Sequence, residues 1–81
     1  MMGIGVLIVD DEADQLELMS LYLEKFDPDI AIETATSPRE ALEKVEGESF
    51  DCIVLDHSMP EMTGLDLAKK IRETHRTPII I

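Results

Sequence analysis

Val6-Leu7-Ile8-Val9-Asp10-Asp11 decides the fold: an unbroken aliphatic run ended abruptly by two carboxylates. A run with no polar member reads as a strand buried on both faces, the habit of parallel sheets covered by helices on either side. Beyond it the period changes. From Ala13 onward Leu16, Met19, Leu23 and Phe26 recur at steps of three and four, with Glu12, Glu17, Glu24 and Lys25 between them. This spacing predicts an amphipathic helix of about 14 residues, stopped by the turn-forming Asp27-Pro28-Asp29. Residues 30–35 then alternate Ile30, Ile32 and Thr34 against Ala31, Glu33 and Ala35, predicting a strand with a more polar edge or face.

Ser37-Pro38-Arg39-Glu40 starts a second helix. Ser37 caps, Pro38 sits in the first turn at no hydrogen-bond cost, and Glu40 completes a capping box. That helix carries Ala41, Leu42 and Val45 on one side and is expected to close at Gly47. Phe50 to Leu55 is the next buried run, with Asp51 at its start and Asp56 at its exit. Thr63-Gly64-Leu65-Asp66 opens a third helix by the same capping logic, with Leu67 and Ile71 one turn apart and Leu65 and Ala68 beside them. Pro78-Ile79-Ile80-Ile81 reads as a last buried strand. The order βαβαβαβ, with connections of a few residues and no repeat or linker, predicts an α/β open parallel sheet in one domain, or part of one, over residues 1–81.

The composition limits the function. The 81 residues hold 18 Asp and Glu against 7 Lys and Arg, a net charge of −11, yet 44% are hydrophobic, enough for a packed core rather than disorder. Residues 1–66 contain 17 acids and three bases, a net −14, while residues 67–81 carry a net +3. Such a surface repels nucleic-acid phosphates and anionic membranes and attracts divalent cations and basic partners. Cys52 is alone, so neither an intrachain disulfide nor a Cys-rich zinc site is available and a reducing compartment is expected. The run from Ile4 to Val9 is too short to span a bilayer and lacks signal-peptide flanks, so a soluble cytoplasmic chain is expected.

Asp10, Asp11 and Asp56 all stand at the carboxyl ends of buried strands, where open α/β sheets bind their ligands. A strand order of 2-1-3 would bring them into one crevice. Like charges that close disfavour mutual ionisation. A hard divalent cation removes that penalty, and Mg²⁺ suits carboxylate, backbone carbonyl and water ligands, with Mn²⁺ or Ca²⁺ as alternatives. A cation beside a strand-end carboxylate also serves an aspartyl nucleophile attacking phosphorus, and Asp56, alone at its strand end, is the natural nucleophile. His57 is turned away from that crevice by strand alternation, Cys52 reads as a small core residue, and His75 as a complement to a helix dipole.

Val6-Leu7-Ile8-Val9-Asp10-Asp11-Glu12, with Asp56-His57-Ser58-Met59-Pro60-Glu61-Met62-Thr63-Gly64, resembles the receiver domain of two-component response regulators across the whole chain. The resemblance implies a flavodoxin-like sheet of order 2-1-3-4 and a phosphoacceptor Asp56 supplied by a sensor histidine kinase. It implies Mg²⁺ held directly by Asp11, Asp56 and the Ser58 backbone carbonyl, with Asp10 acting mainly through water. Met59, Pro60 and Gly64 would shape the loop, and the Ser58 side chain would tune the lifetime of the acyl phosphate. Thr63 stands where the family often has Asp. The family's final strand and helices, with a hydroxyl residue and a lysine that contact the phosphoryl group, are expected beyond Ile81. An apolar sheet face and an edge at Ile79, Ile80 and Ile81 would then be exposed, inviting a homodimer or strand exchange. The expected role is that of a phosphoacceptor rather than an enzyme. Two alternatives remain at this point: a Mg²⁺-binding or kinase-titrating module without switching, and a haloacid-dehalogenase-type phosphatase. The latter wants D-x-D after its nucleophile strand, which Asp10-Asp11-Glu12 and Asp56-His57-Ser58 both lack.

Overall fold

Parallel pairing organises the chain. The computed structural model describes residues 3–81 and contains β1 (Gly5–Val9), α1 (Ala13–Phe26), β2 (Ala31–Ala35), α2 (Pro38–Gly47), β3 (Cys52–Leu55), α3 (Gly64–Arg72) and β4 (Ile79–Ile80). The strands form one sheet of order β2-β1-β3-β4, with every pairing parallel. Element order and strand order are those of the flavodoxin-like sheet.

Strand alternation divides the apolar residues between two faces. Leu7 and Val9 of β1 join Ile53 and Leu55 of β3 in a core closed by Ala41 and Val45 of α2 and by Leu67 and Ile71 of α3. Val6 and Ile8 pack on the other face beneath Leu16 of α1, with Met19, Leu23, Cys52 and Val54 at the margin. The face under α2 and α3 is the better filled: Leu7, Ile53, Leu67 and Ile71 have no solvent exposure at all.

Four local details depart from the expected pattern. Phe26 continues the helical period of α1 but is 85% exposed, and Leu65 is 55% exposed. Both lie at helix ends, Phe26 in the last turn of α1 and Leu65 in the first turn of α3. The α2 cap is only half a capping box. Ser37 Oγ accepts the Glu40 amide at 3.1 Å, while Glu40 Oε1 reaches past Ser37 to accept the Thr36 amide at 2.8 Å. Gly47 adopts no left-handed conformation; α2 ends because Glu48 turns extended while its amide still donates to the Lys44 carbonyl at 2.9 Å. At the start of β3, Asp51 replaces a ladder residue by gripping Gly5 twice: its amide donates to the Gly5 carbonyl and its Oδ2 accepts the Gly5 amide, both at 2.7 Å.

Ile53→Ala is expected to cost about 2–5 kcal/mol through the cavity it leaves, whereas Phe26→Ala should stay within about 0.5 kcal/mol of the parent. Urea unfolding midpoints of the two variants check the contrast; equal losses would contradict the assignment of the core to the α2–α3 side.

Candidate metal and phosphoacceptor site

The site is built from the last rungs of the β1–β2 and β1–β3 ladders. Val9 pairs with Ala35 on one side and Leu55 on the other, so the residues that follow these strands emerge together at one end of the sheet. The Asp56 amide donates to the Val9 carbonyl at 2.8 Å, and the Asp10 amide to the Ala35 carbonyl at 3.1 Å. These bonds hold both aspartates at the ends of neighbouring strands. Asp10, Asp11 and Asp56 each offer a carboxylate oxygen, and the three lie within 4.8 Å of one another. Asp10 and Asp56 are half-buried and Asp11 is exposed.

The three carboxylates are not equivalent. Burial is the main influence pushing the Asp10 carboxyl above its ordinary value, and the charges of Asp56 and Asp11 push the same way. The Glu12 amide, donating to Asp10 Oδ1 at 2.9 Å, partly offsets them. That bond is a local turn of the kind aspartate makes with the amide two residues on, and it fixes the Asp10 side chain just before α1 begins. Asp10 therefore faces the crevice as a held group. Its bond goes to Glu12, the residue at the head of α1, and not to an amide inside the helix.

On the other side, the loop after Asp56 folds back on itself. Ser58 and Thr63 form an antiparallel bridge, and the Gly64 amide donates to the His57 carbonyl at 3.0 Å. Thr63 Oγ1 accepts the Asp66 amide at 3.1 Å, so the expected α3 cap is present with threonine in that place. Met59 is buried at 7% exposure against the larger core, whereas Pro60 is exposed. Gly64 has a specific reason to be glycine. A Cβ there would fall on the Asp56 carbonyl oxygen and within 3.1 Å of its carbonyl carbon, so only a bare backbone lets α3 start against the Asp56 peptide. The sequence placed Gly64 in the loop but did not disclose this contact with Asp56. The Glu12 amide was likewise missed, although an aspartate two residues before a helix is a usable signal for it.

The other candidates lie elsewhere. His57 is exposed and outside the carboxylate group, and Ser58 is exposed within the loop. Cys52 is half-buried on the α1 side of the sheet. His75 follows α3, its Nδ1 2.7 Å from Thr74 Oγ1. Among the described residues the only carboxylate, imidazole or thiol group close enough to hold a metal is Asp10, Asp11 and Asp56. Three hard oxygen donors with no nitrogen or sulfur fit Mg²⁺, and fit Mn²⁺ or Ca²⁺ by the same preference.

The family model described as the response regulator receiver domain matches residues 6–81. The transcriptional regulatory protein SrrA of Staphylococcus aureus is 41% identical over 76 residues, covering 94% of this chain and 31% of SrrA. The chain thus spans about a third of that relative's length. The crystal structure of response regulator protein TrrA from Thermotoga maritima in complex with Mg²⁺-BeF superposes with a TM-score of 0.88 at 34% identity, covering 96% of this chain and 67% of TrrA. TrrA in the crystal structure with histidine kinase ThkA superposes at 0.85 and 34% identity, covering 94% and 65% of the two chains.

Because the native carboxyl of Asp10 titrates above its ordinary value of 3.8, the metal-free native state holds the more protons in that window. Stability therefore falls as pH rises from the unfolded value through the native one, and the deficit persists at neutral pH. Glu40, lowered from 4.5 chiefly by the Thr36 amide, acts in the opposite sense, contributing stability above 4.5 that is lost as pH falls through its native value. Asp10→Asn should raise the metal-free urea midpoint at neutral pH and lose that advantage in acid. A midpoint difference independent of pH would contradict the assignment.

Proposed function

The chain belongs to the response regulator receiver domain family, and from that premise we propose that Asp56 accepts a phosphoryl group from the phosphohistidine of a sensor histidine kinase. The observation that carries this is the convergence of Asp10, Asp11 and Asp56 at the carboxyl end of β1 and β3. In this reading an Asp56 carboxylate oxygen attacks phosphorus. The P–N bond of the phosphohistidine breaks, its electron pair stays on the imidazole nitrogen, which takes a proton from solvent, and an aspartyl phosphate forms on Asp56. The donor supplies only the phosphoryl group, which stays on Asp56 of this chain, so the chain acts as an acceptor and not as an enzyme that turns over a substrate.

Asp11, Asp56 and the Ser58 backbone carbonyl would hold Mg²⁺ directly, with Asp10 acting through water. A bound cation supplies neutralising charge for the phosphoryl oxygens as they approach carboxylate. The protein's own contribution is positional. The β1–β3 ladder presents Asp56, the Glu12 amide orients Asp10, and the close start of α3 at Gly64 fixes the Asp56 peptide from behind. The kinase partnership is supported by the ThkA–TrrA complex, and the metal by the Mg²⁺-BeF complex of TrrA.

Two subsidiary readings go with it. Ile80 and Ile81, 58% and 51% exposed at and beside the β4 edge, support the reading that a second copy of the chain pairs through that edge. Among the described residues no helix is long and apolar enough to cross a membrane; a cytoplasmic site of action also suits the unpaired Cys52 thiol.

Incubation with acetyl phosphate and Mg²⁺ should add the mass of one phosphoryl group to the intact chain, and Asp56→Asn should abolish the gain. A full gain in the Asn variant, or none in the parent, would contradict the assignment. Ser58→Asn is expected to change the decay rate of the phosphorylated species, by mass against time, without preventing its formation. Sedimentation velocity should show self-association growing with protein concentration, reduced by Ile80→Lys.

A further inference from the structure

Away from the carboxylates, residues from the C-terminal halves of α2 and α3 line a groove of about 490 Å³: Leu42, Glu43, Glu46, Lys70, Glu73 and Thr74. Half-buried Leu42, packed against the larger core, is its one apolar lining residue. Its rim is acidic, with three carboxylates against the single ammonium of Lys70. Of the three, only Glu43 takes part in an ion pair within the chain, an exposed one with Arg39 at 3.9 Å. Glu46, Glu73 and Lys70 take part in none among the described residues. Lys69 and Arg72, the other basic residues of the last α3 turn, line a separate hollow with Ala68, Ile79 and Ile81. Both helices also end at this side of the molecule, at Gly47 and Arg72, so their carbonyl ends add partial negative charge to it.

A half-buried leucine beneath an acidic rim and two helix C-termini suits a ligand with one apolar anchor and cationic flanks. We propose that the α2–α3 groove is a docking surface for a partner protein's amphipathic segment, one that inserts an aliphatic side chain over Leu42 and sets Lys or Arg against Glu43, Glu46 and Glu73. The surface is distinct from the phosphoacceptor crevice. Gly64, which abuts Asp56, begins α3, whereas Lys70, Glu73 and Thr74 lie at and beyond its other end. Steering by the rim makes this association fast and salt-sensitive, with Leu42 providing the buried contact.

The test uses the intact chain and a fluorescein-labelled helix-forming peptide of leucine and lysine, leucines on one face, read by anisotropy and by amide chemical shifts. Glu43→Lys/Glu46→Lys should weaken binding at least about tenfold, while Glu17→Lys/Glu24→Lys on α1, with the same change in net charge, should leave it within about twofold of the parent. Shifts should centre on residues 42–46 and 70–74. Equal weakening in both variants would show attraction to net charge alone and overturn the proposal. Shifts centred on α1 or on Asp10, Asp11 and Asp56 would overturn it as well. Circular dichroism of both variants establishes that they are folded.

Discussion

The hydrogen bond from the Asp56 amide to the Val9 carbonyl, 2.8 Å long, is the last link between β1 and β3 and the point on which the site depends. Register is specified wherever the two faces of a sheet differ in what they pack against, because a slip of one residue exchanges the faces. Leu7, Val9, Ile53 and Leu55 must share one core and Val6, Ile8 and Val54 the other. That requirement leaves Val9 opposite Leu55 and brings the residues after them side by side. Carboxylates that repel one another are thus held together by apolar packing several residues away. Hydrophobic burial contributes roughly 1.5–3 kcal/mol per large side chain, so the strands can sustain a local electrostatic cost that no contact inside the crevice removes.

The same end of the sheet shows how backbone and side chain divide the work. Glu12 contributes only its amide to the site, holding Asp10 as the chain turns into α1. Gly64 contributes the lack of a Cβ, which lets α3 begin directly behind the Asp56 peptide, and an amide that closes the loop onto the His57 carbonyl. Thr63 then caps α3 through the Asp66 amide. The start of α3 thus lies directly against the Asp56 peptide, whose amide is tied to Val9 on its other side.

Much of this was legible in the residues. The unbroken run Val6 to Val9 announced a buried strand, Leu16, Met19 and Leu23 an amphipathic helix, and the Ser37 and Thr63 caps are formed by those hydroxyls. The carboxylates after β1 and β3 were recognisable because so few polar residues directly terminate buried runs. Strand order was a different matter. Buried parallel strands look alike, and nothing in Val6–Val9 or Phe50–Leu55 says which strand is the neighbour; the order 2-1-3-4 came from the family resemblance. Phe26 and Leu65 obeyed the helical period and still stayed exposed, since periodicity describes a face and not whether another element reaches it. Glu40 bonded Thr36 instead of Ser37, a choice set by loop geometry. The α2–α3 groove could not be read at all, because its lining comes from two helices whose placement side by side depends on the strand order.

Strand register gathers three of the eighteen acidic residues into one cluster of carboxylates that could hold a cation. Titrating the metal-free chain with Mg²⁺ and following backbone amide shifts tests this directly. The account predicts saturable shifts at Asp10, Asp11, Asp56 and the Ser58–Gly64 loop that fit a single dissociation constant and disappear in Asp56→Ala. Weak, unsaturable shifts spread over the acidic residues of α1 and α2, unchanged in that variant, would contradict it.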